Sequence, residues 1–309
     1  MKRSILIAEY LSTPWALMPE RLNAFAGVLS RWHKGEVAAE SVMAGIEADK
    51  EARANKASSN QRAGGGMIAV LPFYGVVTQR GNMVDDISGP GSVSTQRFTQ
   101  AFRDALSDPA VDSILIDIDS PGGSVYGVGE LAAEIMQARS QKPVIGIANS
   151  LAASAAYWVG AACSELYVTP GGEVGSIGVW QAHEDWSKAL EEAGVKTTLI
   201  SAGKFKVEGN PYQPLDGDAQ SFMQSRVDDY YTVFTKGVAK GRGVGIDQVR
   251  NGMGQGRVLG ADAALEEKMV DGVMTFDDVI RKMQKDAKAA TRTGASRLAA
   301  AQRDLEIMG

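Results

Sequence analysis

The stretch Ser150-Leu-Ala-Ala-Ser-Ala-Ala-Tyr157 sets one hydroxyl, Ser154, among alanines. Small neighbours leave room for a substrate carbonyl. A helix predicted over Ala152–Ala162 puts Ser154 in its first turn, where unsatisfied N–H groups favour negative charge. That suits a nucleophile attacking an acyl group. A helix capped by Ser150, with Ser154 merely packing, explains the same residues. A second stretch, Asp119-Ser-Pro-Gly-Gly-Ser124, places Gly122 and Gly123 where the backbone can approach a ligand closely. Their N–H groups, with that of Ala155, could hold a developing oxyanion; a plain turn uses the same residues. A third stretch, Gly171-Gly-Glu-Val-Gly-Ser-Ile-Gly-Val179, offers a substrate-binding edge around Ser176 or an ordinary glycine-rich connection.

A serine hydroxyl needs a base at neutral pH, and two candidates exist. His183 stands in Trp180-Gln-Ala-His-Glu-Asp-Trp186, with Asp117, Asp119 or Asp185 available to orient it. Lys206 stands in Gly203-Lys-Phe-Lys206, where Lys204 could supply the neighbouring positive charge that makes a lysine a usable base. Local sequence favours His183, because histidine needs less tuning.

The totals exclude other chemistries. Two histidines, His33 and His183, make a multi-histidine metal site a poor expectation. The single cysteine, Cys163, rules out an internal disulfide, fits a reducing cytoplasm, and reads as a small buried hydrophobe in an alanine-rich run. A net charge of -5 without a basic stripe argues against nucleic acid and anionic membranes. The first 16 residues make a poor signal peptide, and no apolar run is long enough for a membrane span.

The elements that must position these residues alternate strand and helix. Strands are predicted at Met67–Leu71, Ser113–Ile118, Pro143–Ala148, Glu165–Val168 and Thr197–Ser201. Helices are predicted at Gln96–Leu106, Gly127–Arg139, Ala152–Ala162, Glu184–Ala193 and Gly217–Lys240. Such spacing indicates α/β crossover units. Residues 1–66 read as a helical arm, with helices over Pro19–Arg31 and Val37–Asn55, ending in a polar, glycine-rich linker. Residues 67–281 form the core, and 282–309 an alanine- and lysine-rich tail, helical or disordered.

Asp119-Ser-Pro-Gly-Gly-Ser124, Ser150-Leu-Ala-Ala-Ser-Ala-Ala-Tyr157, Gly175-Ser-Ile-Gly-Val179 and Gly203-Lys-Phe-Lys206 occur in that order. Together they resemble the serine peptidases related to bacterial signal peptide peptidase A, in particular the soluble phage type that matures proheads. The resemblance covers residues 67–281, including Gly256–Asp271, which is similar to the family's closing segment. It implies a Clp protease/crotonase-like spiral of ββα units, a Ser/Lys dyad of Ser154 and Lys206 in place of His183, and an oxyanion site at Gly122, Gly123 and Ala155. It also implies no cofactor, a homo-oligomeric ring, and protein substrates drawn from scaffold, portal or coat proteins in the host cytoplasm. Many relatives carry Asp directly after the lysine; Val207 and Glu208 follow it here. A non-catalytic assembly protein on the same fold and a crotonase-type acyl-CoA enzyme are the alternatives.

Overall fold

The run Ser113-Ile-Leu-Ile-Asp-Ile118 lacks the polar alternation of a strand with one wet face, as expected for a strand covered on both sides. The computed structural model describes residues 14–18, 61–63, 66–80 and 92–289. It begins with β1 (Trp15–Leu17), β2 (Gln61–Ala63), β3 (Gly66–Tyr74), β4 (Val76–Thr78) and β5 (Ser92–Ser94). Next come α1 (Thr95–Ser107), β6 (Val111–Ser120), β7 (Gly122–Ser124), α2 (Val128–Ala138), β8 (Val144–Ala153) and α3 (Ala155–Ala161). After these follow β9 (Glu165–Val168), β10 (Glu173–Gly175), α4 (Ser187–Glu192), α5 (Gly217–Arg242) and α6 (Ile246–Asn251). The described chain closes with β11 (Val258–Gly260), α7 (Ala261–Glu266), β12 (Gly272–Val273) and a helix, α8, over 276–289.

The large sheet runs β11-β10-β8-β6-β3-β2, with β9 joining β8 to β12. Its centre, β3-β6-β8, is parallel, and β9 and β10 pair in turn with the two halves of β8. The small sheet runs β1-β7-β4-β5. Twice the chain lays a long strand in the large sheet, crosses into the small one, then turns into a helix: β3–β4 and on to α1, β6–β7 and on to α2.

Side-chain parity accounts for the uninterrupted apolar strands. Ile114, Ile116, Ile118, Val144 and Ala148 face one core with Phe98, Leu131 and Tyr157. Leu115, Ile145 and Ile147 face a second core closed by Val279, Ile280 and Met283 of α8. Helix α1 is capped by Ser94, whose Oγ accepts from Arg97 N at 3.2 Å, and its Phe98 meets Phe73 edge-on at 5.0 Å. Helix α5, capped by Asp216 and closed by Gly243 in the left-handed region, stacks Phe234 on Trp158 of α3 at 4.8 Å.

Several expectations shift. The strand expected at Thr197–Ser201 does not form; 195–201 has no regular structure and Ile200 is 96% exposed. Its apolar residues have no sheet to enter, so propensity alone does not make a strand. The helix expected at Glu184–Ala193 shrinks to α4. Residues Trp15–Leu17, expected in an accessory arm, form a buried strand against β7. The two helices expected at Pro19–Arg31 and Val37–Asn55 lie outside the described residues. Helix α8 continues past Arg281, with Met283 buried. Among the described residues no helix is long and apolar enough to cross a membrane.

Candidate active site

Strand β8 runs on to Ala153, five residues past its expected end, and α3 begins only at Ala155. Ser154 is therefore the hinge between strand and helix. Its φ of 55° with ψ of -118° lies where L-residues rarely stand. Such strain is held only when the surroundings over-determine it, and it clusters at functional positions. A nucleophile carried on a sharp strand-to-helix turn is one such use.

The surroundings that hold Ser154 are specific. Its N–H donates to Gly175 O at 2.6 Å, and its carbonyl accepts from Trp158 N at 3.0 Å. Gly175 ends β10, directly opposite Ala153 in a parallel register. Below the hinge, α3 is fastened by the Tyr157 hydroxyl donating to Met269 O at 3.0 Å and by the Trp158–Phe234 stack. Ser150 does not cap a helix as the alternative required; its Oγ donates to Asp119 Oδ1 at 3.1 Å and ties β8 to β6.

The Pro-Gly-Gly segment reaches the same point. Gly122 has φ of 91°, and a Cβ placed on it would overlap the Ala16 carbonyl oxygen and stand 2.9 Å from Ser154 Cβ. Only glycine admits this approach. The two glycines differ in their N–H groups. Gly122 N donates to Ser120 Oγ at 3.2 Å, while Ser120 Oγ itself donates its one proton to Gly75 O at 2.6 Å. Gly122 N–H is thus already paired within its own turn. Gly123 faces Ala16 across the β1–β7 ladder. Ala155 opens α3, so its N–H has no intrahelical acceptor.

Among the described residues neither candidate base, Lys206 or His183, is hydrogen-bonded to Ser154. Ser154 is 1% exposed, whereas Lys206 sits on an exposed loop, its N–H donating to Gly203 O at 3.1 Å. Lys204 stacks its ammonium 4.6 Å from the Phe205 ring on the same loop. His183 Nε2 rests 3.1 Å from Asn210 O. Asp185, held below the usual carboxylate range by the Ser187 hydroxyl and N–H, faces solvent. Cys163 is buried, and burial pushes its thiol up to about 12, so it packs as a hydrophobe.

Sequence reasoning missed three contributors. Ser120 lies inside the Pro-Gly-Gly motif, and its polar side chain next to a buried strand was the available signal. The Gly175 carbonyl carries no side-chain signal at all. Trp180 pairs with Trp15 through both backbone groups, at 2.9 and 3.0 Å, and its indole N–H donates to Leu17 O at 2.9 Å. The cleft beside Ser154 therefore has two backbone edges, β7 and Trp180.

Residues 136–290 match Peptidase family S49, a span that includes Ser154, Gly175–Val179 and Lys206. The chain is 35% identical over 229 residues to capsid assembly protease C of Escherichia phage lambda, covering 74% of this chain and 51% of that protein. It is 33% identical over 247 residues to head-tail preconnector protein GP5 of Enterobacteria phage P21, covering 78% and 48%. Protease 4 of Salmonella typhi is 29% identical over 225 residues, 72% of this chain and 35% of that one. The chain thus spans about half the length of the two phage relatives.

Proposed function

Because the chain belongs to peptidase family S49, we propose that it is a serine endopeptidase with Ser154 as nucleophile and Lys206 as general base. The observation that carries this reading is the strained backbone of Ser154 at the β8–α3 hinge, pressed against a glycine that tolerates no side chain. A packing serine has no use for such strain. Neither does a crotonase-type enzyme, which needs oxyanion donors and no serine nucleophile. The repeated strand–strand–helix order supports a Clp protease/crotonase-like spiral of ββα units.

Ser154 Oγ attacks a peptide carbonyl whose oxygen is received by the N–H groups of Gly123 and Ala155. Gly122 contributes the close approach rather than a donor, since its N–H is held by Ser120. Lys206 accepts the serine proton and returns it to the leaving amine, and water then frees the acyl-enzyme. A lysine serves as base only when it is desolvated or crowded by positive charge. Lys206 is exposed in a single protomer, on a loop that also exposes Leu199, Ile200 and Phe205. A neighbouring copy covering this apolar loop would dry the ammonium and bury those side chains, which supports a homo-oligomer.

The similarity to two phage proteins, one named a capsid assembly protease, favours extended segments of scaffold, portal or coat proteins as substrates, cut during prohead maturation in the host cytoplasm. The test is co-expression of the chain with its scaffold protein. Ser154→Ala abolishes cleavage while leaving particle assembly intact. Lys206→Ala is as dead as Ser154→Ala, and His183→Ala cleaves normally. Cleavage by the Ser154 variant would refute the peptidase assignment, and loss confined to the His183 variant would refute the dyad.

A further inference from the structure

The cleft beside Ser154 is filled by the chain itself. Strand β1 runs antiparallel to β7, with Trp15, Ala16 and Leu17 opposite Ser124, Gly123 and Gly122. Val125 N donates to Pro14 O at 3.4 Å, and Met18 N to Pro121 O at 3.2 Å. Antiparallel pairing alternates hydrogen-bonded with open pairs, so Ala16 and Gly123 form the hydrogen-bonded pair between these two. That directs the Ala16 carbonyl at the Gly123 N–H, the group read above as an oxyanion donor. The same carbonyl oxygen and Ser154 Cβ crowd the one point where a Gly122 side chain would stand. On its other edge β1 is clamped by Trp180, through two backbone bonds and an indole bond to Leu17 O.

The side chains sort in the same way. Trp15 and Leu17 point together onto Trp180 as a separate apolar cluster, whereas Ala16 is wholly enclosed among the main-core residues next to Ser154. An extended strand bonded on both edges, with one carbonyl aimed at an oxyanion donor and one methyl in a closed site, has the geometry of a bound substrate rather than of a structural edge.

We propose that Pro14–Met18 is the chain's own first substrate, occupying the cleft in productive register, and that the enzyme cuts its Ala16–Leu17 bond. This rests on the peptidase reading above. Ser154 Oγ bonds to the Ala16 carbonyl carbon, giving its proton to the base. The bond from that carbon to Leu17 N breaks as the base returns the proton to the new amino group. Water then hydrolyses the ester, yielding a carboxylate at Ala16 and restoring the serine hydroxyl. Until the cut is made, β1 excludes other substrates. Afterwards the cleft accepts extended segments with a small residue before the scissile bond, the position at which Ala16 is wholly enclosed.

Intact mass and N-terminal sequencing of the purified full chain test this. The expected product lacks residues 1–16 and begins at Leu17, while Ser154→Ala keeps its full length. A synthetic peptide spanning Tyr10–Leu22 is cut at the same bond by the active chain, at least tenfold faster than the peptide with phenylalanine in place of Ala16. A full-length chain in which a fluorophosphonate probe labels Ser154 and casein is degraded would overturn the proposal and leave the peptidase reading standing. The variant Ala16→Arg, whose side chain cannot enter the enclosed site, separates the remaining outcomes. If Ser154 is labelled in this variant but not in an uncut parent chain, β1 is a permanent plug and no substrate, and the proposal falls. If Ser154 reacts in neither, the peptidase reading falls with it.

Discussion

Replacing Ser154 by glycine should stabilise the protein relative to replacing it by alanine. Both variants lose the hydroxyl, so their difference isolates the backbone. The φ of 55° and ψ of -118° match the first central position of a type II′ turn, which is dominated by glycine. The penalty for a residue with Cβ should sit towards the upper end of the ~1–3 kcal/mol typical of strained positions. Against that relief, glycine adds about 0.4–1 kcal/mol of unfolded-state entropy. Loss of the buried Cβ, at a site 1% exposed, removes up to about 0.8 kcal/mol of burial. The net advantage of glycine is about 1 kcal/mol, which for a chain of this size raises Tm by roughly 1–2 °C. Parallel thermal and urea melts of the two variants, both inactive, measure it. If Ser154→Gly melts at or below Ser154→Ala, the hinge is unstrained, and strain is not what marks this serine.

Gly122→Ala should be worse than its single methyl suggests, since the new Cβ overlaps the Ala16 carbonyl oxygen and crowds Ser154 Cβ at a φ of 91°. Peptide hydrolysis should fall by about 10²-fold, the cost of displacing a reacting group by about 1 Å, and Tm should fall with it because the new side chain is strained at that φ. Asp271 and Arg242 form a two-point ion pair at 2.7 and 3.0 Å, and Asp271 Oδ2 also accepts from Leu166 N at 2.7 Å. Burial pushes the Asp271 carboxyl up, but the Arg242 side chain and the Leu166 N–H outweigh it and hold the carboxyl below its usual range. A depressed carboxyl contributes stability that is complete above the unfolded value near ~3.9 and is lost as pH falls through the folded one. Urea melts at neutral pH should therefore show Asp271→Asn less stable by about 1–3 kcal/mol, below the cost of a fully buried pair because the side chain is 37% exposed. The gap should close below about pH 4. If the chain is the proposed homo-oligomer, Ile200→Asp, placing a charge on the most exposed large apolar side chain among the described residues, should split it in light-scattering measurements and abolish cleavage with it.

The parallel core was legible because its strands are buried on both faces. Runs such as Ile114-Leu115-Ile116 exist only where two cores compete for alternate side chains, and the sequence shows that directly. The Ser154 segment was legible in composition but not in geometry. Alanines on either side suit a helix, so the helix was expected to start at Ala152. The sheet won instead, because Ala152 and Ala153 are held by register to Val174 and Gly175 of β10, a partner more than 20 residues away. Thr197–Ser201 fails the other way: the residues favour a strand, but no neighbouring edge receives them. Strand β1 was illegible for a related reason. Three residues, Trp-Ala-Leu, carry no period, and their pairing partner, β7, lies more than 100 residues along the chain.

These long-range pairings also bear on the proposal that one cleft both restrains and processes. Strand β7 and the Trp180 segment each present backbone donors and acceptors towards the gap beside Ser154. Unpaired strand edges are costly when buried and adhesive when exposed. A gap with two such edges is satisfied by any strand that fits, and most of the binding is sequence-independent because it runs through the backbone. Selection then falls to the one site where a side chain is fully enclosed, the position held by Ala16. A chain segment tethered to the same molecule outcompetes external segments through its effective concentration. Freeing the cleft thus requires breaking the tether, and in the proposal above the group that breaks it is the hydroxyl of Ser154, whose Cβ and the Ala16 carbonyl oxygen both border the point where a Gly122 side chain would stand.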